Sequence, residues 1–274
     1  SLNELTGYDL STQISQFFSS WSERANLTQS SAVVVQQGAQ LASFIRGLRS
    51  DLATQRDGAD ALLDDYAARA DELIRGIADL NTQIPPAESN GGTANELRDR
   101  RDILIGELAT LMDVTAVDQG DGTVNVLVGS TPVVLAGNPR GVSLERRSTE
   151  NGIEVAILVG AEQRELNVST GKIGALLAGR TDSINATLGA LDDIASTVIF
   201  EVNRLHSTGA SRPGLRSATG TLSIALEDRT RPLNDPDNTA LAGLPFHPSN
   251  GGFTVAVTDQ TTNTTRRVRI DIDM

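Results

Sequence analysis

At 274 residues with no cysteine, the chain has room for more than one domain and forms neither disulfides nor thiolate metal sites. Aromatic residues are only 3% of it, so the core must come from Leu, Ile, Val and Ala, which suits helix packing and thin β layers better than a deep ligand pocket. The net charge of −12, of which residues 57–113 carry −8 (13 acidic against 5 basic side chains), opposes nucleic-acid phosphates and anionic lipid.

Residues 10–24 predict a short amphipathic helix with Ile14, Phe17, Phe18 and Trp21 on one face. A long helix follows, starting at Thr28 or Ser30 as N-cap. Apolar or small residues recur at 41, 45, 48, 52, 59, 62 and 66, and again at 70, 73, 77, 80 and 84. The alternating steps of four and three are a heptad seam, and the four–four step across Tyr66 to Ala70 is a stutter. The helix is expected to stop at Ile84, because Pro85 disfavours helix at the residue before it and Pro86 reinforces the stop. Gly47, Gly58 and Gly76 lie inside it, as bends or as close helix contacts. Most of the acidic excess falls on these helices, where a solvated face is its ordinary meaning.

A polar turn through Gly91-Gly92 leads to Thr93-Ala94-Asn95-Glu96, which has capping-box spacing, with Thr93 as cap. The next helix carries Leu97, Leu104, Leu108 and Leu111 on one face and runs antiparallel to its predecessor. From Val114 the period becomes two, with Val124, Val126 and Val128 alternating, and Asp121-Gly122 is a hairpin signal. Further strands are expected at 132–135, 153–159 and 164–168. Helical pattern resumes near Thr170 and runs to about His206, its seam at Ile184, Leu188, Leu191, Ala195, Val198, Val202 and Leu205. Loops occupy 207–220 and most of 228–250. Phe253, Val255 and Val257, then Val268, Ile270 and Ile272, predict a closing pair of strands with a turn at Thr262-Asn263.

The fold class expected is α+β multidomain: a long antiparallel helical bundle or coiled coil (1–112 with 170–209), an inserted small antiparallel β unit (113–169), and a C-terminal mainly-β domain (210–274) read as truncated. No run of about 18 apolar residues supplies a spanning helix. The opening shows no cleavable signal pattern, and the chain reads as a fragment.

Catalytic chemistry finds little support. The chain has two histidines, His206 and His247, and one lysine, Lys172, with no His-x-x-x-His, Gly-x-Ser-x-Gly or Walker pattern. Asp64-Asp65 and Asp192-Asp193 are neighbours on helices, so their side chains diverge. Asp235-Pro236-Asp237-Asn238 lacks the glycine and distal glutamate of a calcium loop. The expectation is a protein that is not an enzyme and carries no cofactor or metal.

Five segments in order resemble the flagellar hook-associated protein 1 family (FlgK). Phe17-Phe18-Ser19-Ser20-Trp21 looks like its opening region. Asn95-Glu96-Leu97-Arg98-Asp99-Arg100-Arg101-Asp102 is similar to its Asn-x-Leu-x-Asp-x-Arg-Asp motif, and Asp121-Gly122-Thr123-Val124 to its Asp-Gly-Thr-Val hairpin. Gly171-Lys172-Ile173-Gly174 resembles its helix start, and Val202-Asn203-Arg204-Leu205-His206 through Gly209 its helix ending. The resemblance covers residues 17–209 and thins out after Gly209, where Ala210 and Ser-Arg-Pro depart from the family's pattern.

It implies a structural subunit of the bacterial flagellum, a hook–filament junction protein forming a ring at the distal end of the hook. The implied partners are further copies of itself, the hook protein, the second hook–filament junction protein and a flagellar export chaperone, with no nucleic acid and no membrane. The implied location is extracellular, reached by type III export without a cleaved signal. In this reading Phe17, Phe18 and Trp21 pin the opening helix. Asn95, Leu97, Asp99, Arg101 and Asp102 fix the second long helix by caps, packing and ion pairs. Asp121 and Gly122 make the hairpin, Gly171 and Gly174 start the returning helix, and Asn203, His206 and Gly209 end it. Another extracellular coiled-coil assembly protein, a phage tail or adhesin stalk subunit, would share the heptads but not the ordered motifs.

Overall fold

The computed structural model describes residues 9–26, 30–89, 91–149, 152–208, 225–232 and 250–272, with Ser217 and Asp235. Gly209, Thr28 and most of the 207–220 and 228–250 loops lie outside them. The chain divides into two compact units, Ser1–Asp193 and Ile194–Met274. It is helix-rich with small antiparallel sheets, the α+β class expected from the sequence.

Helix α1 (Leu10–Ala25) is capped by Asp9, whose Oδ1 accepts from the Thr12 amide at 2.6 Å. It packs on α2 (Ser31–Glu88) through Phe17, whose ring lies against Gly38. Phe18 and Trp21 flank that ring, at 5.3 and 6.4 Å between centroids, and stay 44% and 38% exposed. Of the trio, only Phe17 is a core residue.

Helix α2 has 58 residues, roughly 87 Å at 1.5 Å per residue. It does not stop at Ile84. It continues through Pro85 and Pro86 to Glu88. The prolines remove two backbone donors, but Ile84 is fully buried and Glu88 is bonded from the next helix, so tertiary contacts hold the last turn that local preference would release. The buried stripe also differs from a simple heptad. Leu63, Ala67, Ile74, Ala78 and Asn81 are buried alongside the expected Ala70, Leu73, Ile77 and Ile84, while Leu62 is 44% exposed. This half of α2 is packed by helices and by β structure, and two neighbours require a wider apolar face than one.

Helix α3 (Asn95–Leu111) returns antiparallel to α2. Leu104 meets Gly76, where an added Cβ would lie 2.9 Å from Leu104 Cδ1, so Gly76 is a close contact; Gly47 and Gly58 face open space. The capping box does not form. Ala94 is the N-cap without a side-chain bond, and the Ala94 amide is instead accepted by Glu88 Oε1 at 2.9 Å. A carboxylate from across the turn has replaced the local threonine.

Strands β1 (Val114–Asp118), β2 (Val124–Val128), β3 (Thr131–Leu135) and β4 (Asn138–Pro139) form an antiparallel meander. Strands β5 (Val142–Thr149), β6 (Gly152–Val159) and β7 (Arg164–Glu165) form a second sheet. The β5–β6 register is unbroken from Val142↔Val159 to Thr149↔Gly152. Sequence pattern does not predict β5, because Glu145-Arg146-Arg147 hides its alternation. Val126, Val133, Val134, Ile157 and Val159 bury against Leu73, Ile74 and Ile77 of α2 and Leu108 and Met112 at the end of α3, in one continuous core.

The returning segment comprises α4 (Gly171–Ala178), a π-helical stretch (Gly179–Asn185) and α5 (Ala186–Thr208). In the second unit, β8 (Gly251–Thr258) and β9 (Thr265–Ile272) pair as a hairpin with Phe253 opposite Ile270 and Val255 opposite Val268.

Candidate functional site

The second and third motifs converge on the C-terminal end of α2, the start of α3 and the β1–β2 turn. Arg101 is the centre. It is buried, and its Nη1 donates to Asn81 Oδ1 at 3.0 Å and to the Gly122 carbonyl at 2.7 Å. Its Nε has no partner among the described residues. Burial lowers its pKa, with the charges of Asp102, Asp118 and Glu88 opposing that shift.

Asn81 uses its whole side chain. Nδ2 donates to the carbonyls of Val124 (2.7 Å) and Ala136 (2.6 Å), and Oδ1 accepts from Arg101 and from the Val124 amide (3.1 Å). Two donors and two acceptors are satisfied, the full capacity of a carboxamide. A helix side chain thus completes backbone groups at the ends of β2 and β3.

The turn itself is built by Asp121 and Gly122. Asp121 Oδ1 accepts from Thr123 N at 2.9 Å and Thr123 Oγ1 at 2.6 Å, and these bonds, the hydroxyl's the larger, lower its pKa. Gly122 has φ of +89°, and an added Cβ would lie 3.3 Å from both Glu88 Oε2 and Ile84 Cγ2. Its position requires a left-handed backbone and close approach together.

Glu88 closes the junction. Arg98 grips it with Nε on Oε1 and Nη2 on Oε2, both at 2.8 Å. The Arg98 bonds, then the Ala94 amide, hold its pKa down to about 2 from 4.5. The unfolded chain therefore protonates Glu88 first. The pair's stabilisation is complete above about pH 4.5 and is lost as pH falls toward about 2. Thermal midpoints measured between pH 6 and 2 are expected to fall less steeply for Glu88→Gln than for the parent. Parallel curves would contradict that role.

The other predicted residues are placed less centrally. Asn95 is exposed and opens α3 without capping it, and Leu97 is half-buried. Asp99 and Asp102 lie on the exposed face and make no hydrogen bond or ion pair among the described residues; the ion pairs of this helix start are Arg98–Glu88 and Arg100–Glu96. Gly171 and Gly174 sit where α4 approaches backbone. An added Cβ at Gly171 would lie 2.6 Å from Leu111 C and O, and one at Gly174 2.7 Å from Ser169 C. Asn203 and His206 are exposed on α5. Sequence reasoning misses Asn81, Glu88 and the buried Arg180. For Asn81 a signal exists: it stands between Ile77 and Ile84 at the four–three spacing, a polar residue in a core slot.

The described residues hold no group of three or more His, Asp or Glu side chains able to bind a metal, and no helix among them is long and apolar enough to cross a membrane. A cleft of about 380 Å³ between α1 and α2 is lined by Ser15, Ser19, Glu23 and Gln37.

These features define a structural helical module, antiparallel helices fastened to an inserted β unit by an inward-facing polar junction. Residues 1–221 match the family described as flagellar hook-associated protein FlgK helical domain, and the chain belongs to that family. It is 29% identical over 157 residues to flagellar hook-associated protein 1 of Salmonella typhimurium, covering 54% of this chain and 28% of that protein. It is 26% identical over 243 residues to the Bacillus subtilis protein of the same name, covering 78% and 48%. The flagellar hook junction protein FlgK from Burkholderia pseudomallei has a similar fold, with a TM-score of 0.66 at 20% identity over 94% of this chain and 50% of that one. The chain thus spans half or less of the length of these relatives.

Proposed function

We propose that this chain is part of a flagellar hook–filament junction subunit, a mechanical adaptor between hook and filament. The observation that carries this reading is the family match over residues 1–221, supported by relatives named hook-associated protein 1 and hook junction protein. The chemistry fits a scaffold role: the buried polar groups hold helices and strands together and leave no convergent nucleophile, base and oxyanion donor in a cleft among the described residues. We assign it as partners further copies of itself, the hook protein, the second junction protein and an export chaperone. The proposed location is outside the cell, on the flagellum. The helical part (1–112 with 170–209) supplies stiffness, the β unit (113–169) braces it, and 210–274 contributes β structure.

Deletion of the gene in the source organism, followed by electron microscopy of the cell surface, tests the proposal. Hooks without filaments, with flagellin shed into the medium, are the expected result. Normal filaments and swimming would overturn it.

A further inference from the structure

Among the described residues, three polar contacts join α2 to the returning segment within the first unit. Lys172 Nζ lies 5.4 Å from the centroid of the Tyr66 ring. Arg180 Nε and Nη2 meet Asp60 Oδ1 and Oδ2 at 2.6 and 3.4 Å, and Arg180 Nη1 donates to the Ile153 carbonyl at 2.7 Å. Arg49 meets Asp192 at 2.9 and 3.3 Å. As numbers rise on one side they fall on the other, so the rungs define one antiparallel alignment.

The two sides do not use equal lengths of chain. From Lys172 to Asp192 is 20 residues, whereas from Tyr66 to Arg49 is 17. The π-helical stretch Gly179–Asn185 lies within the longer side. An i→i+5 turn holds more residues than an i→i+4 turn, so the stretch takes up part of the excess.

The rungs are not equivalent. Arg49 and Asp192 retain 56% and 50% of their side-chain exposure, and such pairs discriminate weakly. The apolar seam of Ile184, Leu188 and Leu191 tolerates exchange of similar side chains and does not distinguish sharply between alignments one turn apart. Arg180 differs: its side chain is 2% exposed and that of Asp60 is 17%. A slide of one turn, about 5.4 Å, would take the buried guanidinium away from Asp60 and from the Ile153 carbonyl, and the carboxylate one turn further along α2, Asp64, is already paired with Arg146 at 2.7 Å.

We propose that Arg180, seated in the π-helical stretch, is a register clamp that selects the axial alignment of the returning helix on α2. Its contribution is specificity of alignment rather than net stability, because a buried ion pair replaced by apolar side chains often costs nothing.

The absence of cysteine allows a direct test. Spin labels at Ala68→Cys and Gly189→Cys, both exposed positions, report the axial offset by pulsed electron resonance. The labelled parent is expected to give one narrow distance. Adding Asp60→Leu with Arg180→Met is expected to preserve the thermal midpoint and to create a second population displaced by about 5 Å, one helical turn. A folded double variant that keeps the single parental distance overturns the proposal, as does a broad distribution in the parent. If the double variant does not fold, Arg180→Lys is measured. It keeps the charge but loses the forked pairing, and a second distance is again expected. The parental distance alone would then refute the clamp.

Discussion

Replacing Asn81 with leucine is expected to lower the unfolding free energy by about 3–5 kcal/mol, with urea denaturation as the measurement. Leucine keeps the same branched outline at Cγ and suits a helix, so shape and propensity change little. What changes is that Val124 N, Val124 O, Ala136 O and Arg101 each lose a partner inside the core. A buried polar group left unmatched costs about 1–3 kcal/mol, and a buried guanidinium more. The loss should exceed that of Gln83→Ala, an exposed change on the same helix, which is expected to fall within about 0.5 kcal/mol of the parent. A loss below about 1 kcal/mol for Asn81→Leu would mean that water or a shifted backbone satisfies these groups, and the junction would not be the fastening described.

Gly171→Ala and Gly47→Ala should move stability in opposite directions. At Gly171 the backbone has φ of +76°, and the new methyl would meet Leu111 C and O at 2.6 Å and Met112 N at 2.7 Å. Those atoms belong to the end of α3 beside fully buried Met112, so they cannot swing aside like a flexible side chain. A loss of about 3 kcal/mol or more is expected, from strain and overpacking together. Gly47 lies in the interior of α2 with nothing within 4 Å of an added methyl, and alanine there is expected to gain up to about 1 kcal/mol. Calorimetric midpoints moving in the same direction for both variants would contradict the assignment.

The elements most legible in the sequence are those whose signal is local. The long heptad segments, the Asp121-Gly122 hairpin and the alternating valines of β2 all announce themselves within a few residues. The five ordered motifs carry the family. The errors lie where a distant group overrides a local rule. Pro85 and Pro86 predict a helix end, yet Glu88, bonded to Arg98, keeps the last turn helical. Thr93 and Glu96 have the spacing of a capping box, yet the same Glu88 reaches the Ala94 amide. Both misses have one cause, a carboxylate placed beyond a proline pair where no helix is expected. The motif residues Arg101 and Val124 stand out in the sequence, but their shared partner Asn81 lies some 20 residues before Arg101 in chain order. Nothing in a local window joins Asn81 to them. Arg180 is hidden similarly, since its meaning depends on Asp60, 120 residues away.

The burial along α2 is lopsided. Between Val34 and Leu63 only Leu41 is buried, whereas from Leu63 to Ile84 every turn is. In engineering terms the helix is a cantilever, built into a wall over its C-terminal half and propped lightly along the rest. A sideways load on the lightly propped portion produces its greatest bending moment at the wall. That place is near Leu63, one turn from Asp60. The forked arginine therefore sits at the root of the beam, where flexural stress is highest and where a fixed alignment limits the deflection of the far end.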